Sequence, residues 1–185
     1  MKIAFTPIIF LFLLSACKEK SKYRKAAEEI ESNMPNTKNM NAGKEKYTLA
    51  VPVGWTTEHS NEYGIDYYFL LAPKTKEDPN TNINVITEFM QNLNLDEFSR
   101  KTIQGLKNAI PSVTILEQGD ITANGINGIW YSYSMEPQGI KATLVCYIFT
   151  RNGIAYIINA GTQTKDATRY RSTFDLVAKS FKFDN

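Results

Sequence analysis

Two cysteines, one histidine and one run of oxygen-bearing side chains are the residues of this chain whose chemistry goes beyond packing. Cys17 closes the tetrapeptide Leu14-Ser15-Ala16-Cys17, an apolar residue, two small ones and a thiol. Small side chains let such a segment lie in a peptidase cleft, and only a thiol can take a diacylglyceryl thioether. The pattern predicts cleavage after Ala16 and acylation of Cys17, with palmitate-type chains. His59 is the sole histidine, which rules out His-rich zinc sites and leaves one candidate base for a Ser or Cys nucleophile. It sits in Thr56-Thr57-Glu58-His59-Ser60-Asn61-Glu62, which reads as a polar loop holding a solvated imidazole. Asp78-Pro79-Asn80-Thr81-Asn82 has the alternating oxygens that open a calcium loop. Yet Ile83 stands where that loop needs glycine, and Phe89 where it needs a bidentate Glu, so a turn before a strand is expected. Gly125-Ile126-Asn127-Gly128 has neither the glycine spacing nor the strand-to-helix context of a phosphate or dinucleotide loop. No catalytic, cofactor-binding or metal-binding residue is assigned, no cofactor is expected, and the chain is not read as an enzyme.

The acceptor thiol needs an export segment before it. Lys2 is followed by an apolar run over 3–14, too short for a ~30 Å hydrocarbon core that needs ~20 residues, and the sequence turns abruptly charged at Lys18-Glu19-Lys20. This predicts a signal peptide over 1–16 and a mature chain held on a membrane by the acyl chains of Cys17, since two or more chains anchor stably where one does not. Lys18 takes the second mature position in place of the aspartate that favours inner-membrane retention in enteric-type sorting. The expected address is the bacterial cell envelope, on the outer membrane if the host has two.

The formal charge of +2 falls to +1 without Lys2, which gives no electrostatic case for nucleic acid. Between Lys18 and Lys46 there are eight basic and five acidic residues, and beyond them twelve and fourteen. A mildly basic stem suits a segment near anionic headgroups. With Cys17 acylated, Cys146 has no intramolecular partner, and its place in Lys141-Ala142-Thr143-Leu144-Val145-Cys146-Tyr147-Ile148-Phe149 reads as a core thiol acting as a small hydrophobe.

In the stem, Tyr23, Ala26, Ala27, Ile30 and Met34 recur at helical spacing and predict a short amphipathic helix, followed by a Pro-, Gly- and Asn-rich linker over 34–43. The organisation expected is therefore a signal peptide at 1–16, a lipidated stem and linker at 17–46, and one domain at 47–185. In that domain the hydrophobic period becomes two, predicting strands at 47–51, 65–72, 82–90, 129–136, 142–150 and 154–160, with a weaker one at 113–122. Several are apolar on both faces and need cover above and below. Asn124-Gly125, Asn127-Gly128 and Asn152-Gly153 read as tight turns at positive φ. One covering helix starts at Asn94 as N-cap, with Glu97 reciprocating and Leu93 facing Phe98, carries Leu95, Phe98, Thr102, Leu106 and Ala109 or Ile110 on its stripe, and stops at Pro111. The other runs over about 165–181 behind Thr164 as cap, with Ala167, Tyr170, Phe174, Val177, Ala178 and Phe181 inward. The fold expected is α+β, a mainly antiparallel sheet between helices.

From Tyr47 onward this order resembles the PsbP-like superfamily, named for an extrinsic photosystem II subunit and shared by bacterial lipoproteins and a eukaryotic Ran-binding import factor. Tyr47-Thr48-Leu49-Ala50-Val51-Pro52-Val53-Gly54-Trp55 is similar to the opening strand that closes on Pro-x-Gly-Trp. Asn82-Ile83-Asn84-Val85, Gly128-Ile129-Trp130-Tyr131-Ser132-Tyr133 and Ser180-Phe181 match later segments. The resemblance implies an antiparallel sheet between helices and a role in binding or assembly; it carries over no catalytic residue and no photosystem partner. The leading expectation is a lipid-anchored, non-catalytic binding or assembly domain with a protein partner in the envelope and an open oligomeric state. A second is a carrier of an apolar small molecule or lipid, from the tyrosine-rich strands with Tyr67, Tyr68, Trp130, Tyr131, Tyr133, Tyr147 and Tyr156. A third is a hydrolase using His59.

Overall fold

Asn124-Gly125 and Asn152-Gly153 turn the chain back on itself, with φ of 48° and 80° at the first pair and 52° and 75° at the second. Two-residue hairpins require these positive values, and Asn and Gly reach them at least cost. The turns join β5 (Thr114–Ala123) to β6 (Ile126–Met135) and β7 (Ala142–Arg151) to β8 (Ile154–Gln163), while a 3-10 turn at Pro137–Gly139 links β6 to β7. The structure, a computed structural model, describes residues 46–62, 65–78 and 80–184. The predicted signal peptide, Leu14, Ser15, Ala16, the acceptor Cys17 and the stem helix lie outside the described residues.

With β2 (Thr56–Glu62), β3 (Ile65–Leu71) and β4 (Asn82–Phe89) these strands form one antiparallel sheet in the order β2-β3-β4-β8-β7-β6-β5. The central strands carry apolar residues on both faces, so two cores form. One packs under α1 (Leu95–Ala109) and includes Phe98, Leu106, Tyr131, Tyr133, Cys146 and Ile157. The other packs under α2 (Ala167–Lys179) and includes Val85, Tyr147, Tyr156, Phe174, Val177 and Phe181. The result is the expected α+β sandwich, with an antiparallel sheet between helices. Among the described residues no helix is long and apolar enough to cross a membrane.

The start of α1 follows its sequence: the Glu97 amide donates to Asn94 Oδ1 at 2.9 Å and the Asn94 amide to Glu97 Oε2 at 3.0 Å. Four expectations need correction. The strand expected at 47–51 shrinks to β1 (Tyr47–Thr48), which pairs outside the main sheet with β9 (Lys182–Phe183), because Tyr47 stacks on Phe181 at 5.6 Å and the Ala50 amide is drawn to Ser180 Oγ at 2.8 Å. The segment expected as a polar loop at 56–62 is β2, an edge strand on which Thr56, Thr57, Glu58, His59 and Asn61 are exposed. Asn127-Gly128 makes no turn and lies within β6: a Cβ at Gly128 would come 2.7 Å from the Phe149 ring and 2.6 Å from the Ile148 carbonyl. Glycine there serves close approach. Finally, α2 begins at Ala167 behind a 3-10 turn at Thr164–Asp166, and Asp166 stands at its N-cap without a side-chain bond. Thr164 does not cap it, because the 3-10 turn sets it two residues before the N-cap, where its hydroxyl accepts from Thr143 at 3.2 Å.

Candidate functional site: a cleft under the second helix

An extra residue in β5 shapes the site. Ile115 pairs with Tyr133 and Glu117 with Ser132, so Leu116 is a β-bulge. A bulge sets two consecutive side chains toward one side of the sheet. Here it delivers Leu116 and Glu117 together to the mouth of a cleft of about 200 Å³ beneath the first half of α2. The floor is a row across the strands, with Ser132 opposite Val145 and Thr143 opposite Thr162. The roof is Ala167, Thr168, Arg171 and Phe174. The cleft therefore offers hydroxyls and apolar surface with one charge of each sign at its rim.

Arg171 is held on three sides. Its Nε donates to both Asp175 carboxylate oxygens at 3.1 and 3.0 Å, its Nη1 lies 3.4 Å from Glu117 Oε2, and its guanidinium lies 4.2 Å above the Trp130 ring. Gly119 makes room for that indole, since a Cβ there would sit 3.1 Å from Trp130 Nε1. The Tyr147 hydroxyl donates to Asp175 Oδ1 at 2.6 Å. Burial, then the bond to Asp175 and its charge, push the Tyr147 phenol well above its usual range, with Arg171 opposing.

A second tie fixes the far end of the roof. Buried Asp78 accepts from the Thr81 hydroxyl at 2.7 Å, the Thr81 amide at 3.2 Å and the Tyr170 hydroxyl at 2.7 Å. Thr81 Oγ1 in turn meets Thr162 Oγ1, on the cleft floor, at 2.7 Å. The Tyr170 phenol is pushed up to about 12, by burial first and then by Asp78. Asp78 Oδ1 thus holds the turn before β4, and its Oδ2 ties that turn to Tyr170 on α2. Among the described residues no cluster of three or more His, Cys, Asp or Glu is placed to hold a metal.

The single histidine is elsewhere. His59 is exposed on β2, its ring 4.8 Å from that of Tyr68. Cys146 is fully buried in β7, and burial pushes its thiol up to about 12. Three strands separate β2 from β7, about 19 Å at the usual ~4.8 Å spacing, so this base and this thiol are not brought together. The aromatics considered as a groove divide otherwise: Tyr67, Tyr131 and Tyr133 fill the α1 core, Tyr147 and Tyr156 the α2 core, with Tyr68 and Trp130 packed at the margin of the latter.

No family model matches the sequence, and no curated protein does. Solved structures do. The cyanobacterial PsbP (CyanoP) of Synechocystis matches with a TM-score of 0.55 at 13% identity, over 80% of this chain and 98% of that one. The fold is PsbP-like. LpqN of Mycobacterium tuberculosis, described as involved in cell envelope biogenesis, matches with a TM-score of 0.55 at 15% identity, over 78% of this chain and 87% of that one. PA94 of Pseudomonas aeruginosa, of unknown function, gives 0.55 at 14%, over 73% and 95%. At these identities the likeness concerns the fold alone. Within this PsbP-like fold the cleft residues Leu116, Glu117, Ser132, Thr143, Thr162, Thr168 and Arg171 were not singled out from the sequence. Two signals pointed toward them: Arg171 and Asp175 at helical i,i+4 spacing, and Gly119 isolated inside a strand pattern.

Proposed function

We infer that this chain is a lipid-anchored protein of the bacterial envelope whose PsbP-like domain works by binding or assembly and not by catalysis. The observation that carries the binding reading is the bulge at Leu116, which sets a leucine 52% exposed and a carboxylate at the mouth of a preformed cleft. The cleft's charged groups are committed to each other, which suits recognition better than proton transfer. The role of LpqN in envelope biogenesis agrees with an envelope address, as does the Leu14-Ser15-Ala16-Cys17 pattern. The anchor would leave the domain, from Tyr47, reaching from the membrane on its stem to a protein partner.

A photo-crosslinking residue at Thr168, on the cleft roof, tests the binding half in native cells, with the same residue at exposed Arg100 on α1 as control. A discrete crosslinked protein from 168 and none from 100 is expected; equal crosslinking from both, or none from 168, removes the cleft as the contact. Labelling with a palmitate analogue tests the anchor: Cys17→Ser should lose all label and, after cell fractionation, either stay as uncleaved precursor or be released. Equal label on both proteins would sink the assignment. Recovery of the wild type with the inner membrane of a two-membrane host would overturn the outer-membrane placement.

One observation favours a carrier of an apolar molecule instead. The hydroxyls of Tyr131 and Tyr133 are buried in the α1 core without a hydrogen-bond partner, apart from the weakly polar Cys146 thiol beside Tyr131. Native mass spectrometry of the purified protein decides this, since copurifying lipid supports the carrier and its absence from a folded protein removes it.

A further inference from the structure

We propose that β5 receives an extended, basic segment of the partner protein as an added strand, with one apolar side chain of that segment seated in the cleft. This rests on the binding reading above and names the chemistry of the partner. Among the described residues the sheet ends at β2 on one side and β5 on the other, so each is an edge strand. The two edges differ in what lies beside them. β2 is short and polar, Thr-Thr-Glu-His-Ser-Asn-Glu, and none of its residues lines the cleft. β5 is ten residues long, and its bulged Leu116 and Glu117 open directly onto the cleft.

Strand addition takes affinity from main-chain hydrogen bonds and specificity from pockets for alternate side chains. A cleft of about 200 Å³ has the scale of a single large side chain, and its floor and roof supply Val145, Ala167 and Phe174 for an apolar one. The charge of the edge selects the rest of the segment. Asp120 is exposed, Glu117 is exposed but shares its charge with Arg171, and Thr114–Ala123 contains no Lys or Arg, so Asp120 sets the sign of the edge. Edge charges and bulges also protect sheets against indiscriminate pairing. Here the bulge sits near the start of β5, and from Glu117 to Ala123 the strand stays in unbroken register with β6, which leaves a regular edge. Negative charge along it repels acidic strands and attracts Lys or Arg, so the protection and the selection have one cause.

The test selects a random decapeptide library on the full chain in detergent micelles. The most enriched peptide is then resynthesised and its affinity measured by fluorescence anisotropy. Enriched peptides are expected to carry net positive charge with alternating apolar residues, and to protect the β5 amides from hydrogen exchange. Asp120→Lys, an exposed change that leaves the Arg171 contacts alone, should weaken binding about tenfold, while Glu58→Lys on β2 leaves it unchanged. Strand addition is overturned by no enrichment over the naive library, by acidic or non-alternating winners, or by protection at β2. Indifference to Asp120→Lys overturns it too, as does a doubling of mass that competes with the peptide, which would make a second copy the occupant. So does a peptide that binds only after the basic 18–46 stem is removed, which would make the chain's own stem the occupant. If crosslinks from position 168 persist while the peptide arm fails, the binding reading stands and only the added strand falls.

Discussion

Over the α1 face, the sheet meets a helix fixed by its own capping box and by apolar contact; over the α2 face, it meets a helix tied down by polar side chains from distant parts of the chain. Asn94 and Glu97 are three residues apart. The bonds that hold α2 join Tyr147 to Asp175, Arg171 to Glu117 and Tyr170 to Asp78, over 28, 54 and 92 positions. At the other end of α2, Asn124 in the β5–β6 turn donates to the Phe181 carbonyl at 3.0 Å. Apolar burial is non-directional and closes a face, whereas hydrogen bonds fix direction and can hold a helix with a gap beneath it. The α1 helix is held by local and apolar contacts and the α2 helix also by polar ties, and the cleft lies beneath the second.

The strongest challenge to both faces at once is alkali. Tyr131 and Tyr133 in the α1 core and Tyr147 in the α2 core are held neutral, mainly by burial, well above the ordinary phenol value of 10.0. A phenol raised in the folded state contributes stability that is whole below about pH 10 and is lost as the pH climbs toward the folded value, because the unfolded chain releases its proton first. Each such tyrosine removes up to about 1.4 kcal/mol per pH unit, about 4 kcal/mol for three, against a usual total of about 5–15 kcal/mol. Thermal melts should hold to about pH 9, sag as the buried Cys146 thiol, raised from 9.0 to about 12, begins to oppose folding, and collapse from about pH 10 toward pH 12. A flat profile throughout would deny the burial of these hydroxyls.

The hydroxyls also separate the faces. Tyr147→Phe leaves Asp175 without its phenol donor and should cost about 1.5–3 kcal/mol, since the lost bond is to a charged group. Tyr131→Phe removes an oxygen that has no good partner and should be neutral within about 0.5 kcal/mol, or stabilising. Urea denaturation reads both. A loss at Tyr131 equal to that at Tyr147 would mean the α1 face is not dry, and would strengthen the carrier reading. Between these falls Gly128→Ala, which forces a methyl against Phe149 and the Ile148 carbonyl and should cost about 1–3 kcal/mol. If Gly128→Ala is neutral, the tight approach of β6 to β7 is not what the glycine serves.

These differences mark how far the sequence could be read. The α1 side was nearly all legible: its cap, its stripe, the stop at Pro111 and the two-faced strands follow local rules of spacing. On the α2 side the inward stripe of Tyr170, Phe174, Val177, Ala178 and Phe181 was legible too, but the polar ties and the cleft were not. β2 carries no alternation, because an exposed edge buries neither face well enough to select one. Asn127-Gly128 has the chemistry of a turn, and only the position of Phe149 on a neighbouring strand shows why the glycine is there. The bulge at Leu116 leaves no signature in Thr-Ile-Leu-Glu-Gln, since the skipped pairing is a property of two strands. Beside the cleft, the i,i+4 spacing of Arg171 and Asp175 could have marked that pair, but Glu117, Ser132 and Thr162 join Arg171 only through tertiary placement.

The smallest effect compares the two helix starts, which sequence rules treated alike, Asn94 capping one and Thr164 the other. In the structure only the first makes the bond. Asn94→Ala should lose its side-chain acceptor for the Glu97 amide and with it about 1 kcal/mol. Thr164→Ala removes an exposed hydroxyl whose partner is the Thr143 hydroxyl at 3.2 Å, and should stay within about 0.5 kcal/mol. The α2 start tolerates this because the 3-10 turn already employs the Ala167 amide, which donates to the Thr164 carbonyl, a backbone bond that alanine keeps. Denaturant midpoints at constant slope measure both variants. Should Thr164→Ala cost as much as Asn94→Ala, α2 would be held at its start by a local cap after all, and its dependence on distant polar ties would be weaker by that amount.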